Sequence, residues 1–318
     1  MIFEYDGFKI LKTLYNETFE VIYSMMEVDG FLFTGHSKGI IMAWEYGLGE
    51  RVIKSECPVK DPVTSIVYLK NLLMIWVSLM NGDMFLLKIN TETFQLDLLN
   101  QVKIDEPAKK IYSLTRLSDG RMCVSQDKGF TIWQIVQSAT ALNAGTGGSV
   151  TGGAAQLSVI KEDENGSTIP LSAYKIALQT PRCFLEDQVV SQVLEYDVNQ
   201  VVASTMSCVY FLVSLKGGQN EVLRRIAGNG KWCIDLIRVP YFEQQGVKSV
   251  FCGVENDSYV LVNFENERGG APQVLQQERA ENQSPWYTGA FFLRNKPECM
   301  VVAEEKKRAI RSFVVNGL

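Results

Sequence analysis

Hydrolytic chemistry needs a nucleophilic side chain beside a base, and this sequence offers few candidates for either role. His36 is the only histidine, and its neighbours "TGHSKG" predict a surface turn rather than a catalytic setting. The segment "GGSVT" (147–151) departs from the nucleophile motif G-x-S-x-G because Thr151 replaces the last glycine. The sequence therefore predicts no catalytic residue and no enzyme.

Cofactor chemistry has equally little support. The seven cysteines form no C-x-x-C pair, and their number is odd. We expect buried free thiols in a reducing compartment, with no metal and no other cofactor. The phosphate-binding motif GxxxxGK[ST] is missing, so nucleotide binding through that loop has no support. The cysteines are Cys57, Cys123, Cys183, Cys208, Cys233, Cys252 and Cys299.

Composition places the chain among soluble globular proteins. It has 318 residues, of which 46% are hydrophobic and 21% are charged. A net charge of −5 does not favour binding to DNA or anionic lipid. The longest apolar runs are about ten residues, too short to span a bilayer, and no secretory signal is visible. We therefore expect a cytoplasmic or nuclear protein.

A hairpin pattern repeats along the chain. In "FLFTGHSKGIIMAWEY" (31–46) two β-rich runs flank a turn that contains Gly39. The same layout returns with Gly82 and with Gly129, and then with other residues at the turn. The six turn positions are 39, 82, 129, 208, 258 and 308, at intervals of 43, 47, 79, 50 and 50 residues. Strand-like runs precede and follow most hairpins, which predicts units of four strands in a β-propeller.

This pattern resembles the WD-repeat family of β-propellers. The similarity lies in "TGHSKGIIMAW" (34–44), "LMNGDMFLL" (79–87) and "SQDKGFTIW" (125–133). In this chain no blade ends in Trp-Asp, since Glu45 follows Trp44 and Gln134 follows Trp133. With one histidine placed inside a hairpin, the histidine-centred hydrogen-bond network of strong repeats is expected to be absent. The resemblance implies one all-β domain over residues 1–318, a closed β-propeller of four-stranded blades.

The interval of 79 residues leaves the number of blades open. Residues 138–154 are rich in Gly, Ser, Thr and Ala, which predicts a flexible loop. A further hairpin around Gly166 would divide the interval and favours seven blades. The alternative is six blades with one long insertion. We also expect the N-terminal run "FKILKTLY" (8–15) to close the ring by supplying a strand to the last blade.

The resemblance to this family implies a binding rim where the hairpin turns meet the segments that lead into each first strand. Trp232 and Trp286 each follow a polar turn in such a segment, where they would either anchor a partner or pack between blades. The charged and polar residues expected on the same rim are Lys38, Asn81, Asp127, Lys128, Asp257, Lys306 and Lys307.

These observations predict a non-enzymatic scaffold that binds a protein or peptide partner, within a multi-protein complex. A first alternative is a phosphoinositide-binding propeller, which the pair Arg224–Arg225 resembles in part, although Ile226 replaces the expected glycine. A second is a propeller enzyme with a carboxylate-bound metal in its central channel. Nucleic acid, a membrane lipid and a small-molecule substrate are not the expected partners.

Overall fold

The computed structural model describes the strands of the chain and most of the turns between them. The described residues are 2–4, 9–12, 21–28, 31–45, 52–57, 60–90, 93, 95–104, 110–137, 174–186, 188–218, 220–228, 232–244, 246, 250–255, 258–264, 273–279, 287–293, 296–304 and 309–314. After residue 264 the description covers the backbone alone. Within this part of the chain, none of the helices has the length and apolar character needed to cross a membrane.

The chain divides into two compact units, of which the first comprises Met1–Lys110 and Ile135–Ile176. It contains an N-terminal hairpin, sheet 1 and sheet 2, each antiparallel. Among the described residues of this unit, a 3-10 turn, Lys70–Leu72, follows β7. The strands are β1 (Ile2–Glu4) and β2 (Lys9–Lys12) in the hairpin; β3 (Ile22–Val28), β4 (Phe31–His36), β5 (Ile40–Glu45) and β6 (Val52–Glu56) in sheet 1; and β7 (Val63–Leu69), β8 (Met74–Leu79), β9 (Asp83–Ile89) and β10 (Leu96–Lys103) in sheet 2.

The second unit comprises Ile111–Gln134 and Ala177–Leu318 and holds most of sheet 3 and all of sheets 4 to 6. One short helix, α1 (Pro240–Gln244), follows β19, and a 3-10 turn lies at Lys216–Gly218. The strands are β11 (Ile111–Arg116), β12 (Met122–Gln126), β13 (Gly129–Gln137) and β14 (Tyr174–Phe184) in sheet 3; β15 (Val190–Asp197), β16 (Gln200–Thr205), β17 (Val209–Ser214) and β18 (Glu221–Ala227) in sheet 4; β19 (Cys233–Arg238), β20 (Val250–Glu255), β21 (Ser258–Asn263) and β22 (Gln273–Arg279) in sheet 5; and β23 (Tyr287–Leu293), β24 (Lys296–Glu304) and β25 (Ala309–Val314) in sheet 6.

Each sheet is an antiparallel meander in which strands that are consecutive in the chain lie side by side. The central strands are apolar on both faces, and every residue of β8, β12, β17 and β20 is buried. The fourth strands are more exposed, as the pattern of β18 illustrates. Four-stranded antiparallel sheets with a repeated hairpin at their centre confirm the predicted all-β blades.

A β-bulge recurs at the start of the first strand of all six sheets. The register shifts between Val63 and Ser65 in β7, and at the corresponding place in the other five first strands. A bulge adds one residue to one strand, so the positions before and after it change faces. As a result Val63 and Ile66, three residues apart, lie on the same buried side.

These two positions carry the packing between consecutive sheets. Val63 and Ile66 belong to one apolar cluster with Phe33 and Ile41 of sheet 1. In the second unit Val190 and Val193 likewise cluster with residues of sheet 3, and Cys233 and Leu236 with residues of sheet 4. Each of these first strands therefore covers the central strands of the sheet before it.

A buried hydrogen-bond chain joins the two central strands of sheet 1. The indole N–H of Trp44 donates to Thr34 Oγ1 at 2.8 Å, and Thr34 Oγ1 lies 2.7 Å from His36 Nε2. His36 is the last residue of β4 and has no exposed surface, so its predicted place in a surface turn is wrong. This histidine lies within the hairpin and not before a first strand, so its bond to Thr34 is a different arrangement from the network of strong repeats.

The structure corrects the predicted number of blades. Five sheets have four strands and one has three among the described residues, so seven four-stranded blades are not formed. The interval of 79 residues arises because β13 and β14 belong to one sheet while the chain between them is long. The predicted flexible loop at residues 138–154 and the hairpin around Gly166 lie outside the described residues.

The predicted closure of the last blade by residues 8–15 is not formed either. The strand β2 (Lys9–Lys12) pairs with β1, and the two strands form a separate sheet. Asp6-Gly7 stands between them in the sequence, and an Asp-Gly pair favours a tight hairpin, which explains the local pairing. In agreement, Ile22 and Met25 of β3, which correspond to the buried pair of β7, are 44% and 65% exposed.

The chain of Trp44, Thr34 and His36 gives a first prediction. Thr34→Val keeps the shape of the side chain but leaves two buried polar groups without their partner, so we expect a loss of about 1–3 kcal/mol in unfolding free energy. Thr93→Val, at an exposed turn, should change it by less than about 0.5 kcal/mol. Urea unfolding followed by tryptophan fluorescence measures both, and equal midpoints would contradict the stabilising role of this chain.

A second prediction concerns Gly129, which begins β13 with a φ of +142°. A Cβ atom here would lie 1.9 Å from the carbonyl oxygen of Cys183 in the neighbouring strand. Gly120 also has a positive φ, +86°, but has open space around it. Gly129→Ala should therefore cost about 2 kcal/mol more than Gly120→Ala, since only the first adds a backbone clash to the φ strain. Similar urea midpoints for the two variants would contradict this close approach.

Candidate functional site

The turns of the hairpins and the segments leading into the first strands form one edge of each sheet, which we call the turn edge. Backbone hydrogen bonds join the two parts, from the N–H of Ser37 to the carbonyl of Val21 in sheet 1 at 3.1 Å. Sheet 2 repeats the bond from Met80 to Pro62 at 2.9 Å, and sheet 4 repeats it at the same position. The predicted meeting of turn and lead-in segment is thus found within individual sheets.

Five of the nine predicted binding residues lie on this edge in the described part of the chain. Lys38 and Asn81 belong to the first unit, whereas Asp127, Lys128 and Trp232 belong to the second. Lys38 and Lys128 are exposed in their turns. The other four predicted residues, which lie outside the described residues, are Asp257, Trp286, Lys306 and Lys307.

Two of the predicted binding residues shape the turns in which they stand. Asn81 Oδ1 accepts the N–H of Asp83 at 3.0 Å, and its own N–H donates to Asp61 Oδ2 at 2.6 Å. Asp127 Oδ1 accepts the hydroxyl of Tyr112 at 2.7 Å. Burial raises the pKa of Tyr112, and the hydrogen bond to Asp127 raises it further, so the phenol remains a donor. The side chains of Asn81 and Asp127 are therefore already engaged within the fold.

Aromatic side chains are exposed on the turn edge of the second unit. Trp232 directly precedes β19 and is 59% exposed, so its ring is not enclosed between sheets. Phe184, which ends β14 and leads toward β15, is 62% exposed and lies 5.9 Å from the guanidinium of Arg182. Between these segments in sequence, Arg225 pairs with Glu186, with Nε 3.2 Å from Oε1. The edge thus combines apolar rings with a paired charge.

The paired arginines Arg224 and Arg225 do not form an exposed, unpaired basic patch. Arg225 is engaged by Glu186, and Arg224 is partly buried in β18. The basic side chains of 304–311 lie outside the described side chains. The described geometry gives no support to a phosphoinositide site at this arginine pair.

Potentially reactive side chains are buried between the sheets. The six cysteines whose side chains the structure describes form no disulfide and are buried. Burial raises the pKa of Cys57, Cys183 and Cys233 to about 12, and raises those of Cys123 and Cys252 as well. In the described part of the chain, no group of three or more histidine, cysteine or acidic side chains is arranged to hold a metal ion.

Glu255 is a buried acid at the end of β20. Its Oε2 accepts the hydroxyl of Ser258 at 2.7 Å, and its Oε1 accepts the hydroxyl of Tyr210 at 3.2 Å. Burial raises the pKa of Tyr210, which keeps the phenol protonated as a donor. The bond to Tyr210 joins the hairpin of sheet 5 to sheet 4. Because Glu255 has no exposed surface, a substrate cannot reach its carboxylate.

A pocket of about 400 Å³ lies at the opposite edge of the second unit, where the first strands end. We call it the far-edge pocket. Three consecutive sheets contribute to it through the ends of β11, β15 and β19. Its lining includes Arg116, Ser118, Leu194, Glu195, Tyr196, Asp197, Val198 and Arg238. Sequence reasoning missed this pocket because its three segments are far apart in the chain and share no motif.

Known structures with the same arrangement of strands identify the fold. The Cps50 (Swd1) β-propeller domain of Myceliophteria thermophila matches with a TM-score of 0.64 and 7% identity, over 96% of this chain and 86% of that one. The WD40 β-propeller domain of Doa1 matches with a TM-score of 0.58 and 12% identity, over 93% and 79%. The fold is that of a WD40-like β-propeller.

An enzyme-like name also occurs among the similar structures. A putative 6-phosphogluconolactonase from Bacteroides fragilis matches with a TM-score of 0.63 and 8% identity, over 92% of this chain and 79% of that one. No family model matches the sequence, and no curated protein matches it. The structural similarity establishes the propeller fold, but at sequence identities this low it does not indicate any activity.

The buried thiols give a third prediction. At pH 8 a thiol with a pKa near 12 is almost entirely protonated, and the thiolate is the reactive form. Iodoacetamide should therefore label Cys57 and Cys183 in the folded protein about a hundredfold more slowly than in the protein unfolded in urea. Peptide mass spectrometry measures the two rates, and equal labelling before and after unfolding would contradict the buried, protonated state.

Proposed function

We propose that this chain is a non-enzymatic interaction scaffold that binds a protein partner through the turn edge of its second unit. The exposure of Trp232 is the observation that carries the proposal. A tryptophan that stands 59% exposed beside polar turns has the composition of an interface centre, an apolar ring inside a polar rim. The exposed part of the indole ring contributes little to folding, whereas its burial against a partner would contribute free energy to binding.

Further features of the same edge support the proposal. Phe184 occupies the segment leading from sheet 3 to sheet 4 that corresponds to the place of Trp232 between sheets 4 and 5. Glu186 and Arg225 satisfy each other near these segments, so they add a polar border that needs little extra desolvation. Lys128 adds an exposed charge at the turn of sheet 3. Rigid sheets with accessible loops at one edge suit binding more than catalysis.

Two of the similar structures carry propeller names without an enzyme activity, and one carries a putative lactonase name. Among the described residues there is no exposed histidine and no group of metal ligands that a hydrolytic reaction could use. We therefore place the partner among proteins and peptides, and we expect the chain to act in the cytoplasm or the nucleus.

The experiment that tests the function is site-specific photocrosslinking in cells of the source organism. A benzophenone amino acid at position 232 should crosslink to one protein that the unmodified chain also retains on purification. The same amino acid at Leu223, an apolar residue exposed to 41% on the fourth strand of sheet 4, is the matched control and should not capture that protein. Capture of the same protein equally from both positions, or from neither, would contradict binding at the turn edge.

Truncation of the same side chain gives a fourth prediction. Trp232→Ala should weaken binding to the crosslinked partner by about 1–4 kcal/mol, and it should change the unfolding free energy by less than about 0.5 kcal/mol. Leu223→Ala should change neither quantity. A large loss of stability with unchanged affinity would show that the ring packs within the fold and would remove it as a binding anchor.

A further inference from the structure

The charged groups of the far-edge pocket are of two kinds: those that already form bonds within the fold and those that are available to a ligand. Arg238 belongs to the first group. Its Nη2 donates to the carbonyl oxygen of Tyr196 at 2.8 Å and also to that of Glu195, and its guanidinium lies 5.3 Å from the ring centre of Phe251. Nη1 lies 3.5 Å from Glu243 Oε1. This arginine is therefore a fixed part of the pocket wall.

The carboxylate of Glu195 is also satisfied within the fold. Its two oxygens accept the backbone N–H of Ser118 at 2.9 Å and the hydroxyl of Ser118 at 2.6 Å. These bonds join the end of β15 to the turn after β11, so two sheets hold the pocket in one shape. A preformed wall lowers the entropy that a ligand loses on binding.

Three groups of the pocket remain available to a ligand. Arg116 is exposed, and no described residue forms a hydrogen bond or ion pair with its guanidinium. Val198 is 66% exposed, and the partly buried Leu194 is a second apolar residue of the pocket lining. Asp197 uses Oδ1 to accept the N–H of Val198 at 2.7 Å, and among the described residues no donor reaches Oδ2.

Each of these groups selects one feature of a ligand. The planar guanidinium of Arg116 matches a carboxylate in a paired, charge-assisted geometry. The exposed surface of Val198 and Leu194 matches an apolar side chain. The open oxygen of Asp197 matches an N–H donor such as a backbone amide. An acidic residue and a neighbouring apolar residue in a short flexible peptide supply all three.

Other classes of ligand satisfy fewer of these groups. A nucleic acid or an anionic membrane would meet one available cation in a pocket whose lining also carries the Asp197 carboxylate, which gives little attraction to a polyanion. A small carboxylic acid would use Arg116 alone and leave the apolar surface in water. The volume of about 400 Å³ fits a few side chains, within the usual range for ligand pockets.

We infer that the far-edge pocket is a second binding site, which takes a short acidic–apolar peptide segment of a partner protein. The site is separate in sequence and in sheet edge from Trp232. A chain with both sites joins two proteins, or holds two segments of one protein. The inference does not depend on the turn edge being a binding surface.

The test uses the full chain and the peptide acetyl-Gly-Glu-Leu-Gly-amide, followed by amide resonances in NMR titration. We expect shifts at residues 115–118 and 194–198. The matched peptide with Gln in place of Glu should bind at least about tenfold more weakly, since it lacks the charge-assisted pair. Arg116→Gln and Val198→Asp should each weaken binding of the Glu peptide by a similar factor. Arg225→Gln, the same charge change at the turn edge, should leave that binding unchanged.

The possible results separate the alternatives. Equal binding of the Glu and Gln peptides, unchanged binding by Arg116→Gln, or no shifts at about 10 mM peptide would overturn the inference. If acetate binds as tightly as the peptide, the pocket recognises a small carboxylic acid, and the inference is overturned as well. Trp232→Ala should leave the titration unchanged, so failure at this pocket and failure at the turn edge are distinguishable. Melting temperatures check that both pocket variants remain folded.

Discussion

The structure depends on one packing contact, in which two apolar residues of a first strand cover the centre of the preceding sheet. A four-stranded sheet that is apolar on both faces cannot remain alone in water, and its neighbour is what buries it. Val190 and Val193 make this contact in sheet 4, and Cys233 and Leu236 make it in sheet 5. The bulge between the two positions is what turns both toward the same side. Its return in all six first strands makes it the true repeat of this chain.

This contact determines where function can reside. The middles of the sheets are occupied by apolar packing, and several of the polar groups placed there bond to one another. His36 with Thr34 and Glu255 with Tyr210 are the clearest cases, since both form buried hydrogen bonds at the end of a second strand. Groups that could react elsewhere thus stabilise hairpins here. Apart from the exposed fourth strands, accessible side chains lie at the two ends of the strands, and each end offers a different chemistry.

Sequence alone predicted the blades better than it predicted their number or their sites. Glycine turns between alternating strands identified the hairpins around Gly39, Gly82 and Gly129, because those signals are local. The bulge stayed hidden, since an apolar pair three residues apart, as in Val63 and Ile66, breaks the alternation of a regular strand and matches helical spacing instead. The pairing of β1 with β2 was missed although Asp6-Gly7 favours it. The far-edge pocket depends on contacts among three sheets, which no local pattern contains.

Hydrogen–deuterium exchange of the intact chain tests the central claim most directly, that first strands fix the frame while the fourth strands and edges remain open. Amides of β15 (Val190–Asp197), covered by two sheets, should exchange only when the unit opens, about a hundredfold more slowly than those of β18 (Glu221–Ala227). Exchange of β15 as fast as that of β18 would show that the packing of the bulged first strand does not hold the sheets together.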